Sequence, residues 1–227
     1  MTIKAAVLGG ALLAAAASGV AADALACGFA DYREYRPVVP RPSPKPVPAS
    51  DRIAAADQRL EEERLGDAAG QVIAAFPHIQ MARVGASPLE THAMRVLALA
   101  LVRGDGRLAG TAGFAGATGK ERAARLEWAV STLRAVRESR GDDPVAQADL
   151  AEALASRPAT EDEALALLDD LAARDLVGSA HAYATLARLR AKSGDAGKVR
   201  AALSRCELMT KTPAVVCRAP DTRVATR

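Results

Sequence analysis

From position 51 onward the apolar residues of the chain recur at intervals of three and four, the spacing that lines one face of a helix. Alanine, leucine, arginine and glutamate dominate this stretch, and runs rich in β-branched residues are missing, so the pattern predicts an all-helical domain. The periodicity breaks at Leu65-Gly66-Asp67, Arg103-Gly104-Asp105, Arg157-Pro158 and Ser193-Gly194-Asp195, which read as helix stops. Ser87-Pro88 and Asp143-Pro144 place a capping residue before a first-turn proline, and Thr160-Glu161-Asp162-Glu163 reads as a capping box. Eight helices follow, over 51–64, 67–76, 87–102, 120–139, 144–156, 161–174, 179–193 and 195–209.

These helices group into four hairpins, and the last two are offset copies. Leu150-Ala151 returns as Leu186-Ala187 after 36 residues, and Leu168 returns as Leu203 after 35. A repeat near this length, built of two short helices, marks an array in which each hairpin buries its apolar face against the next. The stretch HAYATLARLRAKSGDAGKVRAALSRCEL resembles the tetratricopeptide repeat family: Tyr183, Leu186 and Ala187 fall on its first-helix positions, Gly194-Asp195 on its turn, and Val199, Leu203 and Cys206 on its second-helix core. The third hairpin matches through Leu150, Ala151, Ala164, Leu168 and Leu171, and helix 87–102 more weakly through Ala93, Val96 and Ala100. The resemblance covers about 70 residues well and about 160 loosely. It implies a right-handed superhelical solenoid of four antiparallel hairpins, whose first helices line a concave groove for a peptide or a partner helix.

Carried over residue by residue, the resemblance puts His181, Ala184, Arg188, Ala191 and Lys192 on the groove face of the last hairpin. Glu152 and Ser156 take the corresponding places in the third, and Thr91, Met94 and Ala98 in the second. Arg188 and Lys192 stand one turn apart, placed to hold a partner's carboxylate jointly, or to form a solvated face with Glu152 as neighbour.

The N-terminal segment has a different pattern. Residues 1–26 carry one lysine, an apolar run from Ala5 to Ala17 and small residues before Ala22, Ala24 and Ala26, any of which fits a cleavage site. That is the pattern of a signal peptide, and the run is shorter than the 20 or so apolar residues of a membrane span. Ala24-Leu25-Ala26-Cys27 resembles the lipobox of bacterial lipoproteins, which implies lipidation at Cys27; an incidental cysteine beside an ordinary cleavage site is the other reading. If Cys27 carries lipid, Cys206 and Cys217 remain as an even pair for a disulfide in an oxidising compartment. Over residues 27–50, prolines 37, 40, 42, 44, 46 and 48 hold an extended spacer or form a disordered leader. The repeat domain then spans 51–210. In the tail, 211–227, Val215 and Val216 are placed to fold back over the last helix, fixed by a Cys206–Cys217 bond.

The charge of +3 is interleaved along the domain rather than gathered in a basic stripe, and aromatics are only 3% of the chain, so a nucleic-acid partner is not expected. His78, His92 and His181 are scattered, no cysteine pair has metal-ligand spacing, and no serine sits in a nucleophile-elbow sequence. No catalytic, cofactor or metal site is therefore expected. Glu61-Glu62-Glu63, Asp142-Asp143 and Asp169-Asp170 read as solvated helix faces and starts, and Trp128 as a core anchor.

The segment RGDGRLAGTAGFAGATGK, 103–120, interrupts the second hairpin. It is not a phosphate-binding loop: five residues, not four, separate Gly113 from Gly119, and Glu121 follows Lys120 where the motif needs serine or threonine. Arg103-Gly104-Asp105 coincides with the end of a helix and reads as a turn. An insertion of this length in a compact domain predicts a flap beside the groove. The expectation is a non-enzymatic envelope adaptor, in the periplasm or at the outer membrane or secreted. It would bind another envelope protein or peptide, and meet a membrane only through lipid at Cys27. The alternative is an exported enzyme or small-ligand binder with a pocket between the helices and the 103–119 loop.

Overall fold

The computed structural model describes residues 45–111, 114 and 118–218. The expected signal peptide, Cys27, the linker up to residue 44, parts of the 103–119 loop and the tail from 219 lie outside them. The described residues form nine α-helices and no strand. These are α1 (Ala49–Glu61), α2 (Leu65–Ala75), α3 (Pro88–Arg103), α4 (Gly119–Arg140), α5 (Pro144–Leu154), α6 (Glu161–Ala173), α7 (Ala180–Lys192), α8 (Ala196–Met209) and α9 (Pro213–Val216). None of the described helices is long and apolar enough to cross a membrane.

The first eight fall where the periodicity predicts, and their starts show why. Ser87 Oγ accepts the Glu90 amide ahead of Pro88, Asp143 accepts from Val145 ahead of Pro144, and Asp195 accepts from Lys198. Each cap satisfies an amide that the first helical turn leaves without a partner. The expected capping box at Thr160 does not form: its hydroxyl donates backward to the Leu154 carbonyl, 2.6 Å, over a 3-10 turn at Pro158–Thr160. A capping box forms instead at Thr118 and Glu121, at the start of α4.

Each helix packs on the next, and α1 touches α3, α3 touches α5 and α5 touches α7. α3 is therefore covered on several sides, and Ala93, Val96, Leu97, Leu99 and Leu101 are all essentially inaccessible. A helix apolar around most of its circumference is one built to be buried. The repeat-matched residues Ala151, Ala164, Leu168, Leu186, Ala187 and Cys206 are also buried. Two ion pairs fix α3 against α5 inside this packing: Arg95 Nε meets Asp149 Oδ2 at 2.5 Å, and Arg103 Nε meets Glu152 Oε2 at 3.2 Å. Burial pushes the Asp149 carboxyl above the usual carboxylate range, against the pull of Arg95.

Gly66 is not the helix stop its sequence context suggests. It lies in the first turn of α2, and a Cβ there would stand 2.0 Å from the Ala109 carbonyl oxygen. The glycine lets the 104–111 segment lie directly on α2, where Thr111 Oγ1 donates to the Gly66 carbonyl at 2.8 Å. The core residue of that segment is Leu108, 1% exposed, while Phe114 is half-buried under the Arg125 guanidinium. Arg125 also donates to the Phe114 and Gly106 carbonyls, so the described part of the insertion is anchored to α4 and α2. Trp128 is half-buried, and its Nε1 donates to the Gln80 carbonyl at 3.2 Å, holding down the α2–α3 connection.

At the other end, Cys206 and Cys217 are joined in a disulfide with 5.8 Å between their Cα atoms. α9 has no buried residue of its own, so the disulfide and the half-buried Val216 hold it against α7 and α8.

Candidate functional site

α7 organises the surface around it because residues three, four and seven apart share a helix face. His181, Thr185 and Arg188 lie on one such face, and Tyr183 and Arg190 on the opposite one. The first face borders a cleft of ≈530 Å³. Its other walls come from the end of α3 through Arg103, from α5 through Glu152 and the turn after it through Ser156, and from the turn after α1 through Glu63. Val215 and Val216 of α9 supply apolar surface at its edge.

Every carboxylate of this cleft is held by a partner in the chain. Glu152, 4% exposed, accepts from Arg103 on one oxygen and from Ser179 Oγ, 2.9 Å, on the other. Ser179 also caps α7 by accepting the Ala182 amide. Glu161 Oε1 receives Lys192 Nζ at 2.6 Å and, more loosely, Arg188 at 3.5 Å. The second Nη of Arg188 donates to the Ala155 carbonyl at the end of α5, 2.8 Å away. Asp105, from the turn after α3, is paired with Arg122. Both charged side chains of Arg103-Gly104-Asp105 are thus engaged inside the molecule.

Glu63 departs most from its sequence reading. It is not part of a solvated helix face: it has a left-handed backbone, φ +60°, and its carboxylate reaches His181 Nε2 at 2.6 Å. A non-glycine residue in that region carries backbone strain, tolerated here at a turn lining the cleft. The bond spans 118 positions of sequence and joins the first hairpin to the fourth. A second histidine–carboxylate pair, His92 with Asp57 at 2.6 Å, ties α3 to α1.

Of the groove residues named from sequence, His181, Arg188 and Glu152 meet in the cleft, and Lys192 reaches it through Glu161. Met94 does not: it is 3% exposed and belongs to the core, because α3 is covered on the side the family pattern would leave open. Glu152 is a paired floor rather than an exposed contact. Sequence reasoning missed Glu63, Arg103 and Ser179, whose roles depend on partners in other hairpins. Among the described residues no three histidine, cysteine, aspartate or glutamate side chains gather as a metal-binding group. Compared with known proteins, the chain matches no family model, no curated sequence and no solved structure.

Proposed function

We propose that the helix hairpins form a TPR-like solenoid and that the protein is a non-enzymatic, exported envelope adaptor. In this reading it takes an extended segment of a partner protein into the cleft between Glu63 and Arg188, and Cys27 carries lipid. The observation that carries the reading is the convergence of α3, α5 and α7, the first helices of successive pairs, on one cleft whose acids are already neutralised internally. Arg188 is the exception that gives the cleft something to offer. Its side chain is 42% exposed and meets Glu161 at only 3.5 Å, while Lys192 already neutralises that carboxylate. A partner's carboxylate can exchange for Glu161 at this position without leaving a buried charge unpaired.

The competing reading, an enzyme or small-ligand binder with a pocket against the 103–119 loop, is favoured by one contact: Asp105 borders the same cleft. A photo-crosslinking residue at Thr185, within the cleft, separates the two when compared with one at Arg200 on the exposed side of α8. The adaptor reading expects a discrete envelope protein captured at 185 and not at 200, and lost when Arg188 and Lys192 are both changed to glutamate. The same captures at both positions, or captures indifferent to the double change, would sink it.

A further inference from the structure

The opposite face of α7 borders a second hollow, of ≈470 Å³, between α6, α7 and α8. Its construction differs from that of the cleft. α8 contributes Lys198, Ala201, Ala202 and Arg205, spaced three, four and seven apart and so aligned along one face. With Ala172 and Ala173 of α6 opposite, the walls between the charges are alanine, which leaves room for a compact group against the helices. Tyr183 lies at the base. It is 6% exposed, and no described residue hydrogen-bonds to its hydroxyl. The hydroxyl is reached by solvent from the hollow, so it is free to donate to a group that enters there.

The charges identify its chemistry. Arg190 is committed: Nε and Nη2 both bind Asp169 Oδ1, at 3.0 and 2.6 Å, and Nη1 donates to the Lys198 carbonyl. Lys198 and Arg205 are not committed in this way. Each meets a single surface carboxylate, Asp195 at 3.3 Å and Asp175 at 3.2 Å, with more than half of its side chain exposed. Asp195 also caps α8 with its other oxygen. Exposed pairs of this kind exchange readily for a better-placed anion. Asp169 and Asp175 also line the hollow, but Arg190 neutralises the first and Arg205 the second, which leaves Lys198 as excess positive charge. With the Tyr183 hydroxyl and small apolar walls this is complementary to one oxyanion group.

We propose that this hollow is a binding site for an oxyanion, the carboxylate or phosphate group of a small ligand. Tyr183 Oη is the hydrogen-bond donor at its base, and Lys198 is the counter-charge. The site stands on the face of α7 opposite the cleft and is independent of the adaptor reading.

The full chain is titrated with sodium phosphate and, separately, sodium acetate, at ionic strength held constant with sodium chloride. Binding is read by calorimetry and by the shift in melting temperature. The expected result is saturable binding of at least one of the two anions, with the stronger one identifying the ligand class. Lys198→Gln weakens it about tenfold, as the loss of a charge-assisted contact does. Tyr183→Phe, which keeps the ring and its packing, weakens it about fivefold, as the loss of one hydrogen bond does. Arg59→Gln, on α1 and lining neither hollow, leaves it unchanged. Affinities for the favoured anion that are equal in wild type, Lys198→Gln and Tyr183→Phe overturn the proposal, and so does the absence of saturable binding of both anions to the wild type.

Discussion

On one face of α7, His181 and Arg188 meet carboxylates brought by the turn after α1 and by α6; on the other, Tyr183 offers a hydroxyl that no described residue answers. Both faces sit over buried helix and both border hollows of similar size. They differ in where the partners of the polar groups come from. The cleft face is satisfied from the first hairpin at His181 and from the third at Arg188, so its side chains hold the fold together as well as lining a surface. The Tyr183 face is built from neighbouring helices and leaves its donor unused, so altering it should touch stability little. The difference gives a way to rank what each substitution does.

The largest effect should come from the cleft floor. Glu152→Ala strands the Arg103 guanidinium, whose side chain is only 12% exposed, and removing one member of a buried pair costs about 3 kcal/mol. Urea unfolding measures this, and a loss under about 1 kcal/mol would show that water already solvates the pair. Next comes the α9 edge of the cleft. Changing both Cys206 and Cys217 to serine should lower stability by about 2 kcal/mol, the effect of opening a short covalent loop. Hydrogen exchange should then quicken at Val215–Cys217, whose amides bond only within their own turn, and stay slow in α3.

The comparison is sharpest two residues apart. His181→Gln, which breaks the Glu63 contact, should cost about 1 kcal/mol, whereas Tyr183→Phe should cost less than about 0.5 kcal/mol because no protein hydrogen bond is lost. Equal losses by thermal unfolding would contradict the assignment of the two faces. The smallest effect lies at two exposed helix starts. The Thr118 amide holds the Glu121 carboxyl below the usual range, and the Lys198 amide does the same for Asp195. A carboxyl lowered in the folded state stabilises above its ordinary value, 4.5 for Glu121 and 3.8 for Asp195, and the contribution disappears as pH falls through the lowered value. Glu121→Gln with Asp195→Asn should therefore flatten the acid limb of a stability–pH curve below about pH 4.5 and leave its alkaline limb in place.

What could be read from the sequence follows the same division between local and distant causes. Ser87 and Asp143 were legible as helix starts because their caps reach two or three residues ahead. Repeat-core positions such as Leu150 and Leu186 were legible because one helical face repeats. Thr160 misled because its hydroxyl had a second choice, a carbonyl six residues behind, and took it. Gly66 looked like punctuation because glycine often is, yet its reason is a carbonyl 43 residues away. Met94 followed the family pattern onto a groove that the packing around α3 closes over. Glu63 looked solvated because nothing in Glu61-Glu62-Glu63 singles out the residue that turns left-handed toward α7.

The bond between Glu63 and His181 has a consequence for the order in which the chain folds. Most contacts here join helices adjacent in sequence, so the pairs α1–α2 through α7–α8 close short loops and form early. The Glu63–His181 contact closes a loop of 118 residues, and its chain-entropy cost is met only once the intervening helices are in register. A chain whose α7 has not yet docked has no finished cleft, whatever its first six helices have done. The surface proposed to receive a partner is completed last, so recognition comes only after the whole array has assembled.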